Sequence, residues 1–304
     1  MKSFLICLFL ALSFSATAQN LYSKSYGDKK NIAVVFIHGG PSGNSTLFEG
    51  TTAQKLAENG FYVIVYDRRG EGRSADNDAK FTYEEAFQDL NSIYKKYHLK
   101  KAVLIGHSFG GLVSTLYTHK YPKNVSALVL AGALFAQQET YDHILNSIKK
   151  IHDGDSKTLN KIAYIEKLDK NSAGYRKYCF ELASDENYFK MPKPTKASKK
   201  LYAKYESGEF FKTNIRNKNA PLVFYKNEKQ NNIDSRPLLK KIKTSGVPIF
   251  AIYGKNDGIF SPEQMGSIEQ ITGKNNFALL DNCSHYLFVD QQDKFISKIK
   301  NWIK

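Results

Sequence analysis

Alternation predicts the fold class. Six short apolar, β-branched runs recur along the chain, each followed by a stretch with helical spacing, which predicts an α/β fold with a mostly parallel central sheet and helices on both faces. Between residues 133 and 245 the alternation stops. The text there turns rich in Lys, Tyr and Asn, with helical patches and no clear buried strand, and this predicts a mostly helical module inserted between two halves of one sheet, with a separate domain as the alternative. A third observation marks where chemistry would sit: the stretch IGHSFGG, residues 105–111, closes one strand and opens a helix.

The elements follow in order. Residues 1–18 carry a lysine, an apolar run and Ala16-Thr17-Ala18, the layout of a secretory signal peptide, so cleavage after Ala18 and export to the periplasm or exterior are expected. Few residues then precede Asn31, with room for about one strand. NIAVVFIH (31–38), FYVIVYD (61–67), KAVLIGH (101–107), SALVLAG (126–132), VPIFAIYG (247–254) and NFALLDN (276–282) read as fully buried strands. Residues 46–59, 83–97, 109–121, 261–272 and 290–302 carry helical spacing, and Ser261-Pro262 is a helix start with a capping serine and proline at the first helical position. The expected organisation is a core of 19–132 and 246–304 around a cap of 133–245.

Composition narrows the function. At 304 residues and 42 % hydrophobic, the chain has material for a large core, and no run is long enough to span a bilayer once the signal is removed. Most of the net charge of +15 falls in residues 133–245, scattered and without a recognition motif, so it reads as a solvated surface and no nucleic-acid partner is expected. Oligomeric state has no sequence signal. After Cys7 only Cys179 and Cys283 remain; nothing in the sequence sets their separation, and whether they pair stays open. No Cys-x-x-Cys or spaced His cluster suggests a metal, and neither a Gly-x-Gly-x-x-Gly after the first strand nor a Walker loop suggests a cofactor.

The strand–Gly-x-Ser-x-Gly–helix context is what a nucleophile elbow requires. Gly106 and Gly110 remove side chains that would collide in so tight a turn, and Ser108 is left exposed at the carboxyl edge of the sheet. A serine hydroxyl needs a base, and the base an orienting acid. His285, in the loop after the last strand, and Asp257, in the loop after the strand before it, supply them in the chain order Ser, Asp, His. Asp281 is the rival acid. The oxyanion donors expected are the backbone N–H groups of Phe109 and of Gly40 in HGGPSG, with His38 bracing that turn. YDRRGEGRS reads as a structural turn whose Asp67 and Arg69 tie loops together.

These motifs, in this order, resemble the α/β-hydrolase superfamily of esterases, lipases and peptidases. His38-Gly39-Gly40-Pro41 resembles its proline iminopeptidase branch, which usually reads His-Gly-Gly-Pro-Gly, whereas Ser42 stands here at the last position. The resemblance implies a serine hydrolase acting on a short peptide or small molecule, an aminopeptidase ahead of a carboxylesterase. A slow-turnover ligand-binding protein on the same fold is the alternative from another class. An aminopeptidase must hold a substrate ammonium, and Glu166, Glu181, Glu206 and Glu209 are the cap carboxylates available.

Overall fold

The structure is a computed structural model that describes residues 21–304; the expected signal peptide lies outside the described residues. The chain opens with β1 (Ser23–Tyr26) and β2 (Ile32–Ile37). A short α1 (Thr46–Phe48) continues through a π turn at Glu49–Ala53 into α2 (Gln54–Glu58). Then come β3 (Phe61–Tyr66), α3 (Tyr83–Lys96), β4 (Ala102–His107), α4 (Phe109–Lys120) and β5 (Val125–Ala131). Helices alone follow: α5 (Gln137–Ile151), α6 (Ser156–Glu166), α7 (Ala173–Asp185), α8 (Lys196–Glu206), α9 (Glu209–Lys212), α10 (Ala220–Asn227) and α11 (Arg236–Thr244). The sheet resumes with β6 (Ile249–Gly254), α12 (Pro262–Thr272), β7 (Phe277–Leu280), α13 (Leu287–Asp290) and α14 (Gln292–Ile303).

The seven strands lie in the order β1-β3-β2-β4-β5-β6-β7, all parallel except β1, which runs antiparallel to β3 at the edge. Each of the six predicted strands is present. Burial on both faces accounts for the continuous apolar runs of β3, β4, β5 and β6, whereas β7, expected to be fully buried, lies at the sheet edge with Leu279 exposed. Val35, Ile37, Ile64, Tyr66 and Leu104 pack into one core, while their neighbours Val34, Phe36, Val63, Val65, Val103 and Ile105 pack into the other. Ser261 caps α12 in a full capping box with Gln264, and Pro262 follows at the first helical position.

Strand order reverses at β2–β4, where the chain leaves β2 in one direction and β4 in the other. A crevice at the carboxyl ends of the strands is the expected ligand site of such a sheet. Residues 137–227 form helices over this edge. α11, although within the expected insert, packs against α4 and α12 beside β6.

Candidate active site

Ser108 sits between β4 and α4 with φ 53° and ψ −124°, a strained conformation for a residue with a side chain. The surrounding glycines are steric necessities. A Cβ on Gly106 would lie 2.6 Å from Gly110 O and 2.2 Å from Ser114 Oγ; one on Gly110 would lie 2.1 Å from Ile37 O. The turn is pinned by its backbone: Ser108 N–H donates to Gly132 O (3.2 Å), and Ser108 O accepts from Leu134 N–H (2.9 Å). The Ser108 side chain stays partly exposed, and its hydroxyl makes no hydrogen bond among the described residues. Catalytic hydrogen bonds of this kind commonly tighten only when substrate is bound.

Asp257 and His285 come together from the loops after β6 and β7. Asp257 Oδ2 accepts from His285 Nδ1 at 2.7 Å, and both side chains are buried. The carboxylate fixes the proton on Nδ1 and leaves Nε2 as the basic nitrogen. Gly132 joins this pair to the serine: its O receives Ser108 N–H, while a Cβ on it would lie 3.1 Å from His285 O and 3.7 Å from Asp257 Oδ2. His107 makes a second link, with Nε2 bonded to His285 O (3.0 Å) and its ring 4.8 Å from the His285 ring. Burial holds the His107 imidazole well below its usual pKa, so it is neutral and donates that bond. Asp281, the rival acid, is exposed and paired with Lys255 at 2.6 Å.

The HGGPSG loop approaches from β2. Gly39 lies against Ser108, since a Cβ there would be 3.5 Å from Ser108 Oγ. Gly40 follows, and its N–H has no hydrogen-bond partner among the described residues. Phe109 N–H is the first of α4, with no intrahelical acceptor. His38 braces the turn: Nε2 accepts from Arg68 N–H (3.1 Å), so Nδ1–H donates to Gly39 O (2.7 Å). Burial lowers its pKa to about 4. Asp67 accepts from Ser45 N–H and Oγ–H and from Arg73, and Arg69 bridges to Asp89 at 2.7 Å, the loop ties expected of this turn.

Four further side chains at the site were not singled out from the sequence. Arg68 and Glu71 form a buried ion pair at 2.7 Å. Arg68 donates to His38 O and Gly39 O, while Glu71 accepts from Ser42 N–H and Gly43 N–H, so the pair grips both sides of the HGGPSG loop. Their signal was an i,i+3 opposite-charge pair in a turn after a buried strand, beside the Arg69 that was read instead. Asp290 accepts from Ser284 N–H and Oγ–H and from Ser198 Oγ–H, holding the loop that carries His285. Arg176, from α7, donates to Gly40 O at 2.7 Å.

Among the expected ammonium holders, Glu166, Glu206 and Glu209 are exposed, with Glu166 on Lys149 and Glu209 on Lys212. Glu181 is half-buried and faces Lys177. None of the four has a bond to the catalytic loops. They stand on the outer faces of their helices, a periodicity that the sequence of the cap did not reveal. Cys179 and Cys283 are free, buried thiols in different cores. Among the described residues no His, Cys, Asp and Glu cluster has the makings of a metal site, and no helix is long and apolar enough to cross a membrane.

Sequence comparison agrees with this fold. The family described as "alpha/beta hydrolase fold" matches residues 32–292. The chain belongs to the alpha/beta hydrolase family. This hydrolase is 26 % identical over 298 residues to a proline iminopeptidase of Saccharolobus solfataricus, covering 93 % of this chain and 89 % of that one. Its fold is similar to the proline iminopeptidase-related protein of Thermus thermophilus, with TM-score 0.64, 20 % identity and 92 % of each chain covered. It is similar also to an esterase of Exiguobacterium antarcticum, with TM-score 0.60, 20 % identity, and 93 % and 94 % of the two chains covered. In this alpha/beta hydrolase Ser108, Asp257 and His285 all follow strand ends, where the fold leaves loops free to vary.

Proposed function

We propose that this protein is an exported serine hydrolase that works through an acyl-enzyme, with Ser108, His285 and Asp257 as its triad, and that it is an aminopeptidase of the proline iminopeptidase type. The observations that carry the hydrolase reading are the strained Ser108 elbow and the buried His285–Asp257 pair, whose His285 O is bonded by His107, the residue before Ser108. His285 Nε2 takes the Ser108 proton as Oγ attacks the carbonyl, and the oxyanion rests on the Phe109 and Gly40 N–H groups. The imidazolium, held by Asp257, protonates the leaving amine, and water activated by His285 releases the acyl group. The aminopeptidase reading rests on the HGGP stretch and on the proline iminopeptidases among the relatives. Export rests on the layout of residues 1–18.

A carboxylesterase is the second reading, and one observation favours it. The cap side chain bonded to the oxyanion loop is a cation, Arg176, and the cap glutamates above have no bond there. Prolyl and alanyl arylamides with a free amine, their N-acetylated twins, and short acyl esters separate the two. An aminopeptidase cleaves the free amine two to three orders of magnitude faster than its twin, on the scale of a lost buried ion pair. Equal cleavage of both amides with faster ester turnover makes it an esterase. Fluorophosphonate labelling without turnover of any substrate makes it a binding protein.

A further inference from the structure

Two N–H groups must aim at one point to stabilise an oxyanion, and a Gly–Gly peptide holds no direction by itself. The Gly39–Gly40 peptide is trans, so Gly40 N–H points opposite to Gly39 O. Gly39 O accepts from Arg68 Nη2 (2.8 Å) and from His38 Nδ1 (2.7 Å). These bonds fix the plane of the peptide and turn Gly40 N–H away from Arg68, to where it has no partner among the described residues. Arg68 Nη1 holds the preceding carbonyl, His38 O, at 2.6 Å. Two consecutive carbonyls thus converge on one planar guanidinium, a geometry that a single ammonium does not reproduce.

The same guanidinium meets the second donor residue. Its carbon lies 5.5 Å from the centre of the Phe109 ring, so Arg68 touches both residues whose N–H groups would hold the oxyanion. Gly40 lies directly against the ion pair: a Cβ there would be 2.6 Å from Arg68 Nη2 and 2.8 Å from Glu71 Oε1. Glu71 Oε2 in turn fixes the guanidinium through Nε at 2.7 Å. Its other oxygen accepts from Ser42 N–H and Gly43 N–H, and so holds Ser42 at φ 85°, a region that a residue with a side chain enters at a cost. The charges of the pair offset each other, so its effect on the loop is one of geometry.

We propose that Arg68, fixed by Glu71, is the positioning residue of the oxyanion hole: by holding Gly39 O it aims Gly40 N–H at the carbonyl that Ser108 attacks. Arg68 itself touches no reacting atom. The inference rests on the serine hydrolase reading but not on the choice between amide and ester, because both pass through the same tetrahedral oxyanion.

Trifluoromethyl hexyl ketone and the matching carbinol test it. Ser108 Oγ bonds to the ketone carbon, its proton passes to His285, and the carbonyl oxygen becomes an oxyanion; the carbinol has no carbonyl to attack. Wild type binds the ketone at least about 100-fold more tightly than the carbinol. The double variant Arg68→Met with Glu71→Gln keeps an acceptor for Ser42 and Gly43 and strands no charge. In it kcat falls by about 100-fold, the scale of one lost oxyanion donor, with KM little changed, and the ketone-to-carbinol ratio falls by the same factor. Arg68→Lys restores part of both. Arg69→Met cuts a tie in the same turn and leaves the ratio at its wild-type value, which separates aim from general loosening. An unchanged ratio in the Arg68 variants overturns the proposal, and so does an equal loss in Arg69→Met. Where the double variant does not fold, Arg68→Lys decides on the same ratio, which falls by about 10-fold if Arg68 sets the aim and stays put if it does not. Fluorophosphonate labelling keeps the two claims apart. A labelled wild type without ketone preference, or one whose Arg68 variants keep it, defeats the positioning role alone. A wild type with neither labelling nor ketone preference defeats the hydrolase reading and the role with it.

Discussion

At the scale of single residues, Ser108 shows how a local conformation and a chemical role depend on each other. Its positive φ costs about 1–3 kcal/mol. That strain is held in place by the bonds of the Ser108 backbone to Gly132 O and Leu134 N–H. Ser108→Ala removes an oxygen and little volume, so it should abolish turnover and fluorophosphonate labelling with an unchanged melting temperature; retained turnover would take the nucleophile elsewhere. Asp257 accepts the His285 Nδ1 proton at 2.7 Å, whereas Asp281 stands in solvent on Lys255. Asp257→Asn should therefore lower kcat by about 10⁴-fold, as expected when the imidazole is held in the wrong tautomer. Asp281→Asn should change it little. Steady-state kinetics on the two variants check both, and a reversed order would reassign the acid.

At the scale of elements, the loop after β2 is shaped by the turn after β3. Arg68 and Glu71 are each only 3 % exposed and bond across the HGGPSG loop from either side. Removing one partner of a buried pair strands the other charge. Glu71→Gln should destabilise the protein by about 3–5 kcal/mol, and replacing both residues with apolar ones should cost less than that single change. Denaturant unfolding of the single and double variants measures this, and a double variant worse than the single would mean that the loop bonds, rather than stranded charge, dominate. A smaller effect is expected at α12. Ser261→Ala removes the cap and half of the capping box with Gln264, about 1 kcal/mol by the same measurement.

At the scale of the whole molecule, burial of ionisable groups near the sheet edge sets the response to acid. His38 has its pKa lowered to about 4 and His107 is held well below 6.5, both chiefly by desolvation. Both are neutral when folded and take up protons near pH 6.5 once unfolded. Their stabilisation is thus present above pH 6.5 and is lost as the pH falls toward 4. For His38 alone the loss is about 3 kcal/mol. Asp89 works in the opposite sense: burial raises it to about 6, so its contribution is present below its unfolded value near 4 and lost as pH rises through 6. Three histidines held down by burial, His38, His107 and His143, against two aspartates raised by it, Asp89 and Asp290, leave a net fall of melting temperature between pH 6.5 and 4. His38→Gln should flatten that fall by about one proton, which calorimetry across the range reads directly; an unchanged slope would mean that the His38 imidazole is charged in the fold.

What the sequence by itself determined is everything written in local periodicity and local sterics. The inner strands are continuous apolar runs because both sheet faces are covered there, and the elbow is legible in part because Gly106 is demanded by Gly110 and Ser114 a few residues on, whereas Gly110 is demanded by Ile37 and His38 at the end of β2. The Ser, Asp, His order was legible for the same reason, each member following a recognisable strand. The structure sets Asp257, which the sequence already favoured over Asp281, against His285. Tertiary structure alone decided that Arg68 and Glu71 grip the HGGPSG loop, and that an arginine rather than a glutamate leans from the cap onto Gly40. It also decided that α11 packs against the core helices while its neighbours cover the sheet edge. Those outcomes depend on which face a charged side chain takes in a helix or turn. In a chain with 44 lysines and arginines that choice leaves no mark in spacing. It is set by a partner one hundred residues or more away for Arg176, and by a loop some thirty residues back for Arg68.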